Sequence, residues 1–422
     1  MRRSFELASR ARLTALESLE VAYHARKFTA CGAVLLAAVA IVGIRSAPRS
    51  DVRLYHRYGD AIASGAVPYR DVAIEYPPGA LPFFVAPALI TNSSRSYGVA
   101  FVASMVLAAL LLVGLTARLV QRLGRESSAL HAIAVTALIA SLGGLAVNHF
   151  DLVPAALTVG ALLALGQGRH RLAGVALGAA VAVKVYPLVL VPLAAIYVAR
   201  RAGRAAAAGM TVLTVAVVTA AYLPFILMSA SGVRASLDAQ LFRPLEVESL
   251  GGALYAAVYR AFGLRLPEQT AYQHFNGHSA DVVGYLSAAI GLLILAALWV
   301  AYARGPATLP SLVRYSAASV AAFMVFAKVF SPQYLLWLIP LVVAVRGRRG
   351  WLGTALLALA CVLTAAVVRP HTFDALRHQL AAGPLGMIIV RDLLILLTIA
   401  VLSSNAAVER PLADGPTHVL NG

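Results

Sequence analysis

Apolar runs recur along almost the whole chain, and many approach the roughly 20 residues that a helix needs to cross a bilayer. Hydrophobic residues make up 60% of the 422 residues and charged residues only 13%, whereas an ordinary soluble domain has roughly 25% charged residues. So few charges cannot cover a water-exposed surface. The sequence therefore predicts an all-α polytopic membrane protein, a bundle of about twelve transmembrane helices at residues 28–45, 97–117, 129–147, 151–167, 171–183, 185–199, 205–227, 281–303, 311–328, 333–346, 350–368 and 386–403.

One further apolar run, at residues 76–91, carries Pro77, Pro78, Pro82 and Pro87. Proline removes a backbone donor and clashes with the preceding turn, so we predict a re-entrant or interfacial segment here instead of a span. If this run does not cross and the N-terminus is cytoplasmic, the short basic clusters between helices all fall on the cytoplasmic side, as the positive-inside rule requires.

This topology divides the chain into three parts. We predict a cytoplasmic interfacial helix at residues 1–27, a transmembrane domain at 28–403 and a cytoplasmic tail at 404–422. Outer loops at about 46–96 and 229–280 collect most of the acidic residues, so function is expected to face outward from the plasma membrane. The formal net charge of +17 is mostly inner-loop arginine, and nucleic-acid binding is not expected.

Asp51 follows the first predicted span within a few residues, and Tyr55 lies one helical turn further on. A carboxylate at the membrane–water boundary can take a proton from an acceptor hydroxyl, although aspartate is also a favoured helix N-cap. Glu75 and Tyr76 precede two prolines, which hold the chain extended and would present both side chains at a cavity mouth. A plain turn at a helix start explains the same pattern.

A polar island holding His149 and Asp151 separates two apolar runs, either as a substrate contact or as a tight turn with Asp151 as cap. Lys184, followed by Tyr186, breaks another helical pair. Broken helices at membrane depth line cavities, and an intramembrane cation is a functional-site hypothesis, with a lipid phosphate or Asp151 as its partner. The alternative is a lysine that snorkels to the interface. Lys328 has the same placement on the same side.

The second outer loop contains Arg243, a residue type that clamps phosphate with two hydrogen bonds. Glu246 and Glu248 follow closely, so a salt bridge to one of them that only shapes the loop is equally compatible. Gln333 and Tyr334 open the short run after Lys328 and complete the set of polar side chains on this face.

Taken in order, four features of the chain resemble the GT-C superfamily of integral membrane glycosyltransferases, and within it glycosyltransferase family 87. They are Asp51 just after the first span, the Tyr76–Pro78 segment, the break at Lys184–Pro187 and the Ser331–Tyr334 segment. The resemblance covers roughly residues 28–403. That family includes mannosyltransferases that use polyprenyl-phosphate-mannose. In its mannolipid branch the segment that matches Ser331–Trp337 carries histidines, whereas this segment of the present chain has none.

The resemblance implies an inverting transfer of a sugar, mannose first, from a polyprenyl-phosphate donor to a lipid or glycan acceptor in the cell envelope, with Asp51 as general base. Lys184, Arg243 and Lys328 would neutralise charge that builds on the departing phosphate. Because the donor is already activated, neither metal nor other cofactor is expected. The substrate-binding candidates are Tyr55, Glu75, Tyr76, His149, Asp151, Tyr186, Glu246, Gln333 and Tyr334. The competing hypotheses are a transporter or flippase of lipid-linked sugars and a non-catalytic envelope-assembly protein.

Overall fold

The computed structural model describes residue 32 and residues 34–46, 51–91, 93–124, 128–265 and 273–404. Within these ranges the chain is almost entirely helical. The interfacial helix predicted at residues 1–27 and the tail at 404–422 lie outside the described residues, apart from residue 404.

The helices are α1 (Val34–Ser46), α2 (Val52–Ala63), α3 (Leu81–Ile90), α4 (Ser94–Arg122), α5 (Ser128–Ser141), α6 (Gly144–Val147), α7 (Leu152–Gly166), α8 (His170–Val183), α9 (Val191–Ala202), α10 (Arg204–Leu241), α11 (Leu250–Ala261), α12 (His278–Arg304), α13 (Leu309–Val325), α14 (Leu335–Val343), α15 (Gly347–Val367), α16 (Pro370–Gln379) and α17 (Ala382–Ser403). Short 3₁₀ turns at Pro78–Ala80, Tyr186–Leu190 and Pro332–Tyr334 lead into α3, α9 and α14. Strands β1 (Leu245–Glu246) and β2 (His274–Phe275) pair antiparallel.

The predicted all-α architecture is confirmed. Among the described residues, five helices are long and apolar enough to cross a membrane, namely α4, α10, α12, α15 and α17. The other apolar helices are shorter, so the figure of about twelve spans stays a prediction. A helix rises about 1.5 Å per residue, so helices such as α7 and α8 are shorter than the roughly 30 Å hydrocarbon layer.

Two predicted boundaries were wrong. The run at 129–147 is not one helix, because Gly143 adopts a positive φ of 56° and separates α5 from α6. The helix predicted at 205–227 continues to Leu241, and non-helical backbone angles at Ser229 mark a kink within it. Glycine tolerates the left-handed region at no steric cost, which explains the first break.

The segment predicted as re-entrant or interfacial forms the Pro78–Ala80 turn and α3, a helix of ten residues. Its length, about 15 Å at 1.5 Å per residue, is too short to cross a bilayer. α3 packs against α2 and α4, and the turn before it packs against α8. The helix is short, as the proline-rich composition predicts, and its re-entrant or interfacial placement stays a prediction.

Burial separates the helices into inner and outer ones. α7, α13 and α14 are apolar and buried over most of their residues, whereas α10 and α12 expose large apolar side chains such as Leu227 and Leu293. A helix that is hydrophobic all round belongs inside a large bundle or in a membrane. The candidate side chains lie at the ends of helices and in the segments between them.

Candidate active site

Asp51 lies at the N-cap position of α2, but its side chain makes no capping hydrogen bond. Instead, its Oδ2 lies 3.4 Å from Nε2 of His149, in the turn between α6 and α7. The Asp51 side chain is 47% exposed and that of His149 only 9%. The carboxylate is therefore the solvent-accessible member of the pair, and the imidazole contacts it from the buried side.

The charges around Asp51 favour its ionised form. Burial on its own would raise the pKa of Asp51, but the hydrogen bond and charge of His149, together with Lys184 and Arg243, lower that pKa overall. The two cations come from the end of α8 and from the segment after α10, and the charges of both act on this carboxylate. Three predicted residues thus meet at one site.

Lys184 does not snorkel to an interface. Its Nζ donates to Asp151 Oδ1 at 2.7 Å, and the two side chains are 15% and 0% exposed. Asp151 is thus the partner of Lys184, one of the two expected from sequence. The same oxygen accepts a hydrogen bond of 2.7 Å from Nε1 of Trp337. Asp151 occupies the N-cap position of α7 without a side-chain capping bond, so its carboxylate serves the lysine and not the helix end.

Aromatic rings enclose the Lys184 ammonium. Its Nζ lies 4.8 Å from the ring centroid of Phe150, 5.1 Å from Tyr334 and 5.2 Å from Trp337. Trp337 is stacked between Tyr186 and Tyr334 with centroid distances of 4.2 and 4.0 Å. Cations over aromatic faces are stabilised by the ring quadrupole. The lysine is therefore fixed in place by its carboxylate partner and by three rings.

Arg243 pairs with Glu75 and not with Glu246 or Glu248, so the alternative of a salt bridge to one of those two residues was wrong, while the phosphate contact stays a prediction. The Nη2–Oε2 distance is 2.7 Å, with side chains 27% and 46% exposed. Gln240 also donates to the Glu75 carbonyl at 2.7 Å. These contacts join the end of α10 to the segment before α3, an association that sequence proximity does not reveal.

Tyr55 and Tyr76 belong to an aromatic cluster beside Asp51. Tyr55 is 1% exposed, its ring stacks on Phe84 at 4.6 Å, and it meets Tyr76 edge-on at 5.6 Å. The Tyr76 carbonyl accepts a 2.6 Å hydrogen bond from the Tyr69 hydroxyl. This cluster fixes the wall next to the Asp51 carboxylate.

The remaining predicted residues lie around the start of α14. Glu246 accepts a hydrogen bond of 2.9 Å from the Phe330 backbone N–H, and burial raises the pKa of both Glu246 and Glu248. Gln333 is buried at 9% exposure. Lys328 donates to the Leu241 carbonyl at 3.0 Å, so it is anchored on the α10 side and does not join the Lys184 cluster.

Three structural residues of this region were missed by sequence reasoning. Trp337 and Phe150 look like ordinary core aromatics in sequence. Arg391, inside the predicted span 386–403, is fully buried, donates to Asp392 Oδ1 at 2.8 Å and also donates to the Glu248 carbonyl. A charged pair inside an apolar span is rare and functional by default, so that signal was present.

Comparisons with known proteins identify a family. The family model described as glycosyltransferase family 87 matches residues 74–332, more than half of the chain. Among solved structures, ArnT from Cupriavidus metallidurans bound to undecaprenyl phosphate has a TM-score of 0.47 and 16% identity, over 88% of this chain and 76% of that one. Its apo form gives 0.44 and 15% over the same shares. A search of curated proteins finds no match.

Proposed function

The chain belongs to glycosyltransferase family 87, and on that basis we propose that it moves a sugar from a polyprenyl-phosphate donor to an acceptor hydroxyl. The observation that supports this most directly is the half-exposed Asp51 carboxylate, kept ionised beside two cations. An ionised carboxylate that reaches solvent is positioned to accept a proton from a bound hydroxyl. A buried one, such as Asp151, is not.

The reaction we propose is an in-line displacement with inversion. The acceptor oxygen attacks the anomeric carbon, the bond from that carbon to the phosphate oxygen breaks, and the electron pair leaves with the phosphate. The hydroxyl proton passes to Asp51. Arg243 is the more accessible of the two nearby cations, so it is the one that contacts the phosphate. Lys184, held by Asp151, contributes a fixed positive charge behind it.

The sugar we propose first is mannose, because the family resemblance extends to enzymes that use polyprenyl-phosphate-mannose. The acceptor is a lipid or glycan of the cell envelope. We propose that the site faces outward and both termini are cytoplasmic, since the basic clusters between helices then fall on one side. The activated donor carries its own leaving group, so the reaction needs no metal ion.

The test uses purified protein in detergent with a panel of polyprenyl-phosphate sugars and membrane-extract acceptors, and mass spectrometry detects the product. We expect a new glycosidic bond with at least one donor, no loss on adding a chelator, and no product with Asp51→Asn. The matched control is Asp60→Asn, the same chemical change at an exposed position of α2, which should transfer normally. Normal turnover by Asp51→Asn would refute the base assignment, and movement of the lipid-linked sugar across reconstituted proteoliposomes without bond formation would favour a transporter.

The orientation has its own test. In a background with Cys31 and Cys361 replaced by alanine, a cysteine introduced at Asp71, an exposed position close in sequence to Glu75, should react with an impermeant maleimide added to intact cells. A cysteine at Arg201, in a basic segment, should not. The reverse pattern would contradict the proposed topology.

A further inference from the structure

His149 is bound in an orientation that leaves one nitrogen for Asp51. Its Nδ1 lies 3.0 Å from the carbonyl oxygen of Leu145. A carbonyl only accepts hydrogen bonds, so Nδ1 carries a hydrogen. The other nitrogen, Nε2, faces the Asp51 carboxylate at 3.4 Å. It presents a lone pair to Asp51 when the ring is neutral and an N–H when the ring is protonated.

The His149 side chain is much less accessible than the carboxylate that it contacts. It is 9% exposed, whereas the Asp51 side chain in front of it is 47% exposed. A proton that leaves a bound hydroxyl therefore meets Asp51 first. A carboxylate surrounded by cations is a weak base, and a general base is most effective when its pKa lies near the working pH. An imidazole behind the carboxylate supplies that pKa.

The groups that face the pair come from several elements. Lys184 at the end of α8 and Arg243 after α10 act on Asp51, and Asp151 acts on His149. The Tyr55 and Tyr76 hydroxyls lie close by and interact with Asp51. Burial on its own would lower the pKa of His149, but the Asp51 hydrogen bond and the two carboxylate charges raise it overall.

We propose that His149 is a proton relay that acts through Asp51; the idea rests on the proposed transferase function. As the acceptor oxygen forms its bond to the anomeric carbon and the phosphate departs, the hydroxyl proton moves to Asp51. The proton then moves from Asp51 to the lone pair of His149 Nε2. This transfer returns the Asp51 carboxylate to its ionised form. The relay requires a neutral imidazole at the start, so it operates above the raised pKa of His149, where Lys184 and Arg243 and not the imidazole keep Asp51 ionised. Protonation of His149 in acid therefore switches it off.

The experiment measures kcat and donor KM against pH for the wild type and for His149→Gln, with polyprenyl-phosphate-mannose as the probe or the panel donor that transfers. Glutamine keeps a hydrogen-bonding amide but cannot take up a proton at these pH values. We expect kcat to fall at least tenfold, with donor KM within about twofold, because proton transfer by a positioned side chain contributes typically about 10²–10⁴-fold. We also expect the acid limb of the wild-type profile to disappear or to move to lower pH. The matched control, His278→Gln, lies on an exposed turn of α12 and should leave both unchanged.

A merely structural role for His149 would reduce activity at every pH and leave the acid limb where it is, and that result overturns the relay. A second measurement needs no variant. The pKa of an imidazole falls markedly on warming, whereas that of a carboxylic acid hardly changes, so the wild-type acid limb should move to lower pH as temperature rises. A limb that does not move overturns the relay even if His149→Gln fails to fold. Loss of product in Asp51→Asn with an unmoved limb in His149→Gln leaves the transferase function standing and removes only the relay. Absence of product in the wild type with every donor refutes the transferase function itself.

Discussion

The buried pair of Lys184 and Asp151 allows the structural and chemical roles of a charge to be separated. Replacing one partner leaves the other charge buried and uncompensated, which costs about 3–5 kcal/mol. Asp151→Asn leaves the Lys184 ammonium, on a side chain only 15% exposed, without its charge partner. Lys184→Met does the same to the Asp151 carboxylate, whose side chain is 0% exposed. Removing both charges with Lys184→Met/Asp151→Leu leaves only the Trp337 N–H without its acceptor, at about 1–3 kcal/mol. The double variant should therefore be more stable than either single variant.

Thermal unfolding in detergent, followed by tryptophan fluorescence, gives the order of midpoints. Trp337 reports on the pair directly, because its Nε1 donates to Asp151 at 2.7 Å. Asp71→Asn, which removes the exposed Arg70–Asp71 pair, is the control and should not shift the midpoint. If Asp151→Asn is as stable as the wild type, or if the double variant lies below both single variants, the reasoning from burial is refuted. We expect the double variant, although folded, to transfer no sugar because the fixed positive charge is gone.

Three further predictions concern other parts of the site. Arg243→Gln should raise donor KM at least tenfold with a smaller change in kcat. The control Arg234→Gln, at an exposed arginine of α10, should change neither constant. An unchanged donor KM in Arg243→Gln would refute the proposed contact between Arg243 and the donor phosphate. Gly79→Val should lower the unfolding midpoint and the yield of monodisperse protein, since a Cβ at Gly79 would lie 2.6 Å from backbone atoms of Ala182, and a fully stable variant would contradict this packing. Arg391→Met should destabilise the protein by about 3–5 kcal/mol, because it leaves the buried Asp392 carboxylate without its charge partner. The denaturation midpoint measures this loss. The double variant Arg391→Met/Asp392→Leu should recover part of it.

The sequence predicted the places where helices break better than their exact lengths. Lys184 ends α8 in an extended conformation, and the Pro187-containing turn follows, as proline and an intramembrane cation together indicate. The proline-dense run at 76–91 also breaks where its prolines indicate, into a short turn and the ten-residue α3. These signals are local, since each depends on neighbours within a few residues. The break at Gly143 also depends on one local residue, but a single glycine in an apolar run does not by itself predict a positive φ or a helix end.

The partners of the charged residues could not be read from the sequence. Arg243 pairs with Glu75, 168 positions away, although Glu246 and Glu248 stand within five residues of it. Short sequence separation favours a contact only when the backbone turns the two side chains toward each other. Here β1 carries Glu246 toward the Phe330 N–H, and α10 brings Arg243 to the segment before α3. The tertiary fold therefore determines which carboxylate forms the salt bridge with Arg243.

A series of contacts connects α17 to the segment that precedes the lysine cluster. Arg391 of α17 donates to the Glu248 carbonyl, and its guanidinium lies 3.9 Å from the Phe330 ring centroid. Glu246 holds the Phe330 N–H from the other side, directly before the turn that leads to Trp337. Because a side chain held by packing and hydrogen bonds keeps a site in its productive geometry, we expect α17 to influence the Asp151 contact through this chain of residues. Loss of Arg391 should therefore affect the ammonium cluster as well as the stability of α17.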